Sequence, residues 1–158
     1  MLLRPAYLQQ VGLFDERFFL YYEDTDLSWR GRLLGWRYAY VPASVVRHEH
    51  AATSGEGSDL FRYFVERNRL LMLAKDAPAR MAARAALVEL RSTARAVTAE
   101  FLRPLARGQR PRPNVAPQKV RSMRSYVKHL PGMVTDRRRL QQQRVVSDAE
   151  IVRWMVTK

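Results

Sequence analysis

The spacing of apolar positions along this chain changes period several times, and each change predicts an element. Residues 23–34 have the pattern of a short helix. Acids fill the first turn, Leu27, Arg30, Leu33 and Leu34 follow at three- and four-residue intervals, and Gly35 supplies a stop. Residues 5–11 predict a shorter helix, with proline in its first turn and Gly12 at its end. Residues 36–41 alternate and are rich in aromatics, Pro42 interrupts them, and residues 45–50 resume an extended pattern, so two short strands are expected. A small-residue loop follows over 51–58. Residues 59–75 return to a helical period through Phe61, Phe64, Val65, Leu70, Leu71 and Leu73, and Asp76-Ala77-Pro78 closes it. An Ala- and Arg-rich helix is expected from about 80 to 102. Residues 108–114 hold Gly108, Pro111 and Pro113 among arginines and read as a basic linker, which extends to about 117. The remainder predicts two or three short helices, broken at Pro131-Gly132 and again before residues 151–156, where Ser147 and Glu150 have capping-box spacing.

Composition adds a division of labour. The chain has 158 residues with 47% hydrophobic content, which suffices for a core, and no cysteine, which excludes disulfides and thiolate chemistry. Its formal net charge is +13, yet residues 1–75 carry 10 Lys/Arg against 9 Asp/Glu while residues 76–158 carry 18 against 6. The basic half seeks phosphate, on anionic lipid or on nucleic acid. Arg137, Arg138 and Arg139 beside Leu140, and Arg153 beside Trp154 and Met155, interleave cations with bulky apolar groups in a way that suits an anionic membrane surface. No nucleic-acid recognition signature is present and the first half is nearly neutral, so nucleic acid ranks last as a partner.

The candidate chemistry lies at the start of the second helix. Phe18-Phe19-Leu20-Tyr21-Tyr22 delivers Glu23 and Asp24 from an apolar approach onto a helical first turn, where the macrodipole favours ionised carboxylate and aromatic burial opposes it. Asp24 reads as a general base for a hydroxyl proton or as an N-terminal cap, and Glu23 has the same alternatives. Asp26 lies about 200° further round the helix, so it does not share a proton with Asp24 and instead pairs with Arg30 at i,i+4. The same divergence argues against Asp24-Thr25-Asp26 as a cation-binding Asp-x-Asp. His48 and His50 share one face of the second expected strand and are candidate metal ligands, or ordinary strand histidines.

The run Leu3-Arg4-Pro5-Ala6-Tyr7, through Val11-Gly12-Leu13-Phe14-Asp15-Glu16-Arg17 to Tyr21-Tyr22-Glu23-Asp24-Thr25-Asp26-Leu27, resembles the acceptor side of family 2 glycosyltransferases, particularly their bacterial rhamnosyltransferase-like branch. Gly35-Trp36-Arg37, Val41-Pro42, Val46-Arg47-His48-Glu49-His50 and Arg67-Asn68-Arg69 continue the resemblance in order, covering about residues 1–80. It implies an inverting enzyme that moves a sugar from a nucleotide-diphosphate donor to a hydroxyl of a glycan or polyprenyl-linked acceptor in cell-envelope polysaccharide synthesis. Asp24 matches the catalytic base. Glu23, with Tyr22 and Trp29, would bind acceptor, and His48, with His50 less certain, would hold Mg²⁺ or Mn²⁺. The implied fold is an α/β remnant of a GT-A, Rossmann-like domain over residues 1–78, followed by a basic helical extension over 79–158. The implied location is the cytoplasmic face of the plasma membrane. The nucleotide-binding region of the family, with its metal-binding Asp-x-Asp, should precede this segment. The resemblance therefore implies a truncated piece or half of a split enzyme, poorly active alone. The alternative is a noncatalytic membrane-surface or partner-binding remnant.

Overall fold

The computed structural model describes residues 1–47 and 57–155. Among these residues the elements are all helical: α1 (Pro5–Val11), α2 (Glu23–Leu33), α3 (Asp59–Asp76), α4 (Ala79–Val97), a π-helical turn (Thr98–Leu102), α5 (Arg103–Ala106), α6 (Ala116–Gln143) and α7 (Asp148–Trp154). The expected α/β remnant of a GT-A domain is overturned, because the described residues contain no strand and no sheet. Residues 36–47 lie in coil, and residues 37–47 are exposed with no neighbouring strand to pair with. Their alternation is used differently. Tyr38 folds back so that its hydroxyl donates to the Ser28 carbonyl at 2.7 Å, and Trp36 Nε1 donates to Gln10 Oε1 at 2.8 Å, which straps the segment over α1 and α2.

The helices that form where expected carry their own local signals. Pro5 opens α1 and Gly12 closes it at φ 86°, a conformation that favours glycine. Ser58 caps α3 by accepting from Phe61 N, and Ser147 caps α7 by accepting from Glu150 N. The break expected at Pro131-Gly132 is absent: α6 runs unbroken for 28 residues with Pro131 inside it. Proline removes one helical N–H there, but Pro131 is exposed and the inward residues Tyr126, Met133 and Leu140 are buried, so tertiary packing carries the helix across.

Two apolar clusters form the interior. One joins Phe18, the stretch Leu70 to Ala74, and Ala77 with Tyr126 and Met133 of α6; the other joins Tyr7, Val11, Leu27, Leu33 and Leu34 with Leu140, Val146 and Ile151. Helix α6 feeds both clusters and α3 packs chiefly on α6. Trp29 of α2 touches both clusters, which fixes the helix bearing the candidate carboxylates. Gly31 sits where a Cβ would overlap the Tyr7 and Tyr38 hydroxyls, so α2 closes on both rings only with glycine at that position.

Candidate functional site

Residues 18–22 enter α2 through a backbone that few side chains adopt. Phe19, Tyr21 and Tyr22 have φ of 60°, 68° and 71°, each left-handed and unfavourable for a bulky residue. Asn68 of α3, fully buried, holds this entry. Its Nδ2 donates to the carbonyls of Phe18 at 2.8 Å, Leu20 at 2.7 Å and Tyr21 at 2.7 Å. Arg67 donates to the carbonyls of Arg17 at 2.7 Å and Phe18 at 3.1 Å, and its Nε meets Asn68 Oδ1 at 2.8 Å. A strained loop thus ends on α2 under the control of two adjacent residues of α3.

A buried ionic cluster anchors the same helix from below. Arg30 Nε donates to Asp26 Oδ2 at 2.9 Å, as the i,i+4 spacing predicts, and its guanidinium also donates to the carbonyls of Val11 and Leu13. Lys75 Nζ lies 2.7 Å from Asp26 Oδ1 and 2.8 Å from Asp15 Oδ2. Arg17 grips Asp15 through both carboxylate oxygens and pairs with Asp136 of α6. Burial pushes the Asp15 carboxyl up, but hydrogen bonds from Arg17 and Lys75 outweigh it and hold it well below the usual carboxylate range. Asp76 is the odd member. Burial first, and the neighbouring Asp26 charge next, push its carboxyl well above the usual value. With both acids ionised neither Asp76 oxygen has a donor, whereas a proton on Asp76 gives it a hydrogen bond to Asp26.

The outward face of α2 borders an open groove of about 320 Å³, lined by Thr25, Ser28, Trp29 and Arg32 of α2, by Tyr38, and by Ile151, Trp154 and Met155 at the C-terminal end. Arg32 is held between two rings, its Cζ 5.0 Å from the Tyr38 centroid and 4.8 Å from that of Trp154. Asp24 is exposed at the edge of this face, one turn before Ser28. Its Oδ1 accepts from Thr25 N at 2.6 Å and Thr25 Oγ1 at 3.2 Å, and its Oδ2 takes no hydrogen bond among the described residues. The N-cap position is Tyr22, with no side-chain cap, so Asp24 does not close the helix end. Glu23 Oε2 and Trp29 Nε1 are buried without a hydrogen-bond partner among the described residues. Aromatic faces, a guanidinium, hydroxyls and a free carboxylate oxygen together can receive a polyhydroxylated ligand and take a proton from it.

The expected site residues therefore fall in different places. Glu23 and Asp24 lie in the first turn of α2 behind Tyr22 at the N-cap position, whereas Trp29 lies further along the helix, against both apolar clusters. His48 and His50 lie outside the described residues, and no group of three or more His, Asp or Glu side chains among the described residues is placed to hold a metal ion. Arg137 donates to the carbonyls of Ala77 at 2.5 Å and Ala74 at 3.3 Å, closing the C-terminal end of α3, while Arg138, Arg139 and Arg153 are exposed. Trp154 belongs to the groove through Arg32. Sequence reasoning gave no role to Ser28, Arg32 or Tyr38, and placed Met155 only in the membrane-surface pattern beside Trp154. The spacing of Thr25, Ser28, Trp29 and Arg32 at i, i+3, i+4 and i+7 was the available signal for one helix face.

No protein-family model matches the chain, and no solved structure matches it. Over 55 residues, 35% of its length, it is 46% identical to N-acetylglucosaminyl-diphospho-decaprenol L-rhamnosyltransferase of Mycobacterium tuberculosis, in both strain CDC 1551 / Oshkosh and strain ATCC 25618 / H37Rv. The match spans 18% of each relative's length. At a coarse level this is a partial, glycosyltransferase-like relationship. No helix among the described residues is long and apolar enough to cross a membrane.

Proposed function

We propose that this chain carries the acceptor side of an inverting glycosyltransferase, with Asp24 as the base. The observation that carries the reading is the exposed Asp24 carboxylate, one oxygen occupied by Thr25 and the other without a partner among the described residues, at the edge of a groove walled by Trp29, Tyr38, Arg32 and Trp154. Partial identity to a rhamnosyltransferase supports the reaction class. In this reading an acceptor hydroxyl lies against Asp24. Its oxygen attacks the anomeric carbon of the donor sugar, its proton passes to Asp24, and the bond from the anomeric carbon to the nucleoside diphosphate breaks with the electron pair leaving on the phosphate oxygen. The groove aromatics would stack on acceptor sugar faces, and the buried unpaired Trp29 Nε1 would gain a polar partner on binding. The donor is proposed to be a nucleotide-diphospho sugar, L-rhamnose by analogy with the relative, and the acceptor a glycan on a polyprenyl diphosphate. Mg²⁺ or Mn²⁺ is proposed as the cofactor. The described residues do not form its site, so no step here passes through it.

The test is transfer to a polyprenyl-diphosphate-linked acceptor by the chain alone and by the chain fused behind the donor-binding portion of the mycobacterial relative, with and without Mn²⁺. In the active form Asp24→Asn should lower kcat by about 10² to 10⁴ with little change in acceptor KM. A loss of only a few-fold overturns the base assignment. No transfer by either form, with acceptor still bound, favours the noncatalytic reading.

A further inference from the structure

Helix α4 presents inward Met81, Ala82, Ala85 and Ala86 to the core, and its buried Glu89 is taken by Lys119 at 2.7 Å and Arg69 at 3.3 Å. Its outward face has no such partner. Ala83, Leu87, Leu90 and Ala94, at i, i+4, i+7 and i+11, form one exposed strip, and Leu87 and Leu90 are 45% and 54% exposed. Arg80, Arg84, Arg91 and Arg95 form a parallel exposed strip beside it, and none of the four makes an ion pair or side-chain hydrogen bond among the described residues. Exposed Leu102 and Leu105, with Arg103 and Arg107, extend the pattern past the helix. Residues 79–115 hold eight arginines against two glutamates, and both acids are occupied: Glu89 as above, and Glu100 by accepting the N–H groups of Asn114, Val115 and Ala116. The positive charge of this face is therefore uncompensated.

We propose that the outward face of α4, continued through residues 102–107, docks in the plane of an anionic lipid bilayer. The aliphatic strip enters the boundary between headgroups and acyl chains, while the arginine strip beside it reaches lipid phosphates through paired N–H donors. The strips run for about 22 Å along the helix, enough to span several headgroups. Charge complementarity selects an anionic surface, and the exposed leucines with no exposed aromatic ring on this helix favour lipid over single-stranded nucleic acid, which binds by ring stacking. The inference stands apart from the sugar-transfer reading, because it requires neither Asp24 nor the groove.

Co-sedimentation of the chain with vesicles of phosphatidylcholine alone, and of phosphatidylcholine containing phosphatidylglycerol, tests it. Binding should require the anionic lipid and weaken with salt. The variant Arg84→Gln/Arg91→Gln/Arg95→Gln should lose on the order of 100-fold in partitioning, from about fivefold per arginine, and Arg91→Gln alone about fivefold. Leu87→Ser/Leu90→Ser, with charge unchanged, should lose about tenfold or more. Arg138→Gln/Arg139→Gln should lose a few-fold at most, with helicity by circular dichroism unchanged in all variants. Equal binding to neutral and anionic vesicles overturns the proposal, as does an Arg138/Arg139 loss matching that of α4. Wild-type lipid binding by the leucine variant, together with capture of poly(U) RNA through the same arginines, assigns the face to nucleic acid instead.

Discussion

Asp26 and Asp76 show how much of this molecule rests on single buried charges. Asp26 is 0% exposed and Asp76 1%, and only their shared environment of Arg30 and Lys75 makes them tolerable. The raised Asp76 carboxyl has a definite thermodynamic sign. Its folded form binds a proton more tightly than the unfolded chain, so its contribution favours folding at low pH and is lost progressively as pH rises above the ordinary value of 3.8. Asparagine copies the protonated acid. Asp76→Asn should therefore match wild type in thermal stability near pH 4 and exceed it at pH 7. Equal destabilisation at both pH values would contradict a protonated Asp76. Asp15 has the opposite sign, with stability lost as pH falls below the usual carboxylate range, which confines the Asp76 comparison to pH 4 and above. The Asp26–Arg30 pair was legible as an i,i+4 spacing. The approach of Asp76 was not, because fifty residues separate the two acids and nothing local signals that meeting.

At the scale of elements, what proved readable was local. Pro5 and Gly12, the acids at the start of α2, and Ser147 with Glu150 act within a turn of where they stand, and the helices they bound form there. The expected strands were not local facts. An alternating segment becomes a strand only beside another, and residues 36–47 find tyrosine and tryptophan anchors on α1 and α2 instead. Pro131 misled for the converse reason: α6 is set by the surface of α3, not by its own propensity. The entry loop into α2 depends most on another element. With three left-handed aromatic residues it is maintained by Asn68, whose amide serves three carbonyls. Asn68→Ala should destabilise the chain by about 3 kcal/mol in urea unfolding, as buried carbonyls lose their donor. A change under about 0.5 kcal/mol would show that the loop holds itself.

Across the whole molecule, α6 feeds both apolar clusters, α3 packs along it, and α2 is wedged between the clusters through Trp29, with its ionic residues below and the groove above. This arrangement places the free oxygen of Asp24 and the aromatic groove on one side of α2. The outward strips of α4 form a separate surface, built on charge with no partner within the described residues. The placement of Glu23 and Asp24 in the first turn of α2 was legible from the apolar approach to a helical pattern. The groove beside Asp24 was not, because Tyr38 and Trp154 reach it from segments over a hundred residues apart. In the proposed function this groove receives the acceptor. Its most direct test is a ¹H–¹⁵N NMR titration of the chain with a water-soluble, short-chain analogue of N-acetylglucosaminyl-diphospho-polyprenol. Saturable shifts should appear at the amides of Thr25, Ser28, Arg32 and Trp154 and at the Trp29 indole N–H. Saturable shifts confined to other surfaces, or none at millimolar analogue, would show that the groove does not receive the acceptor.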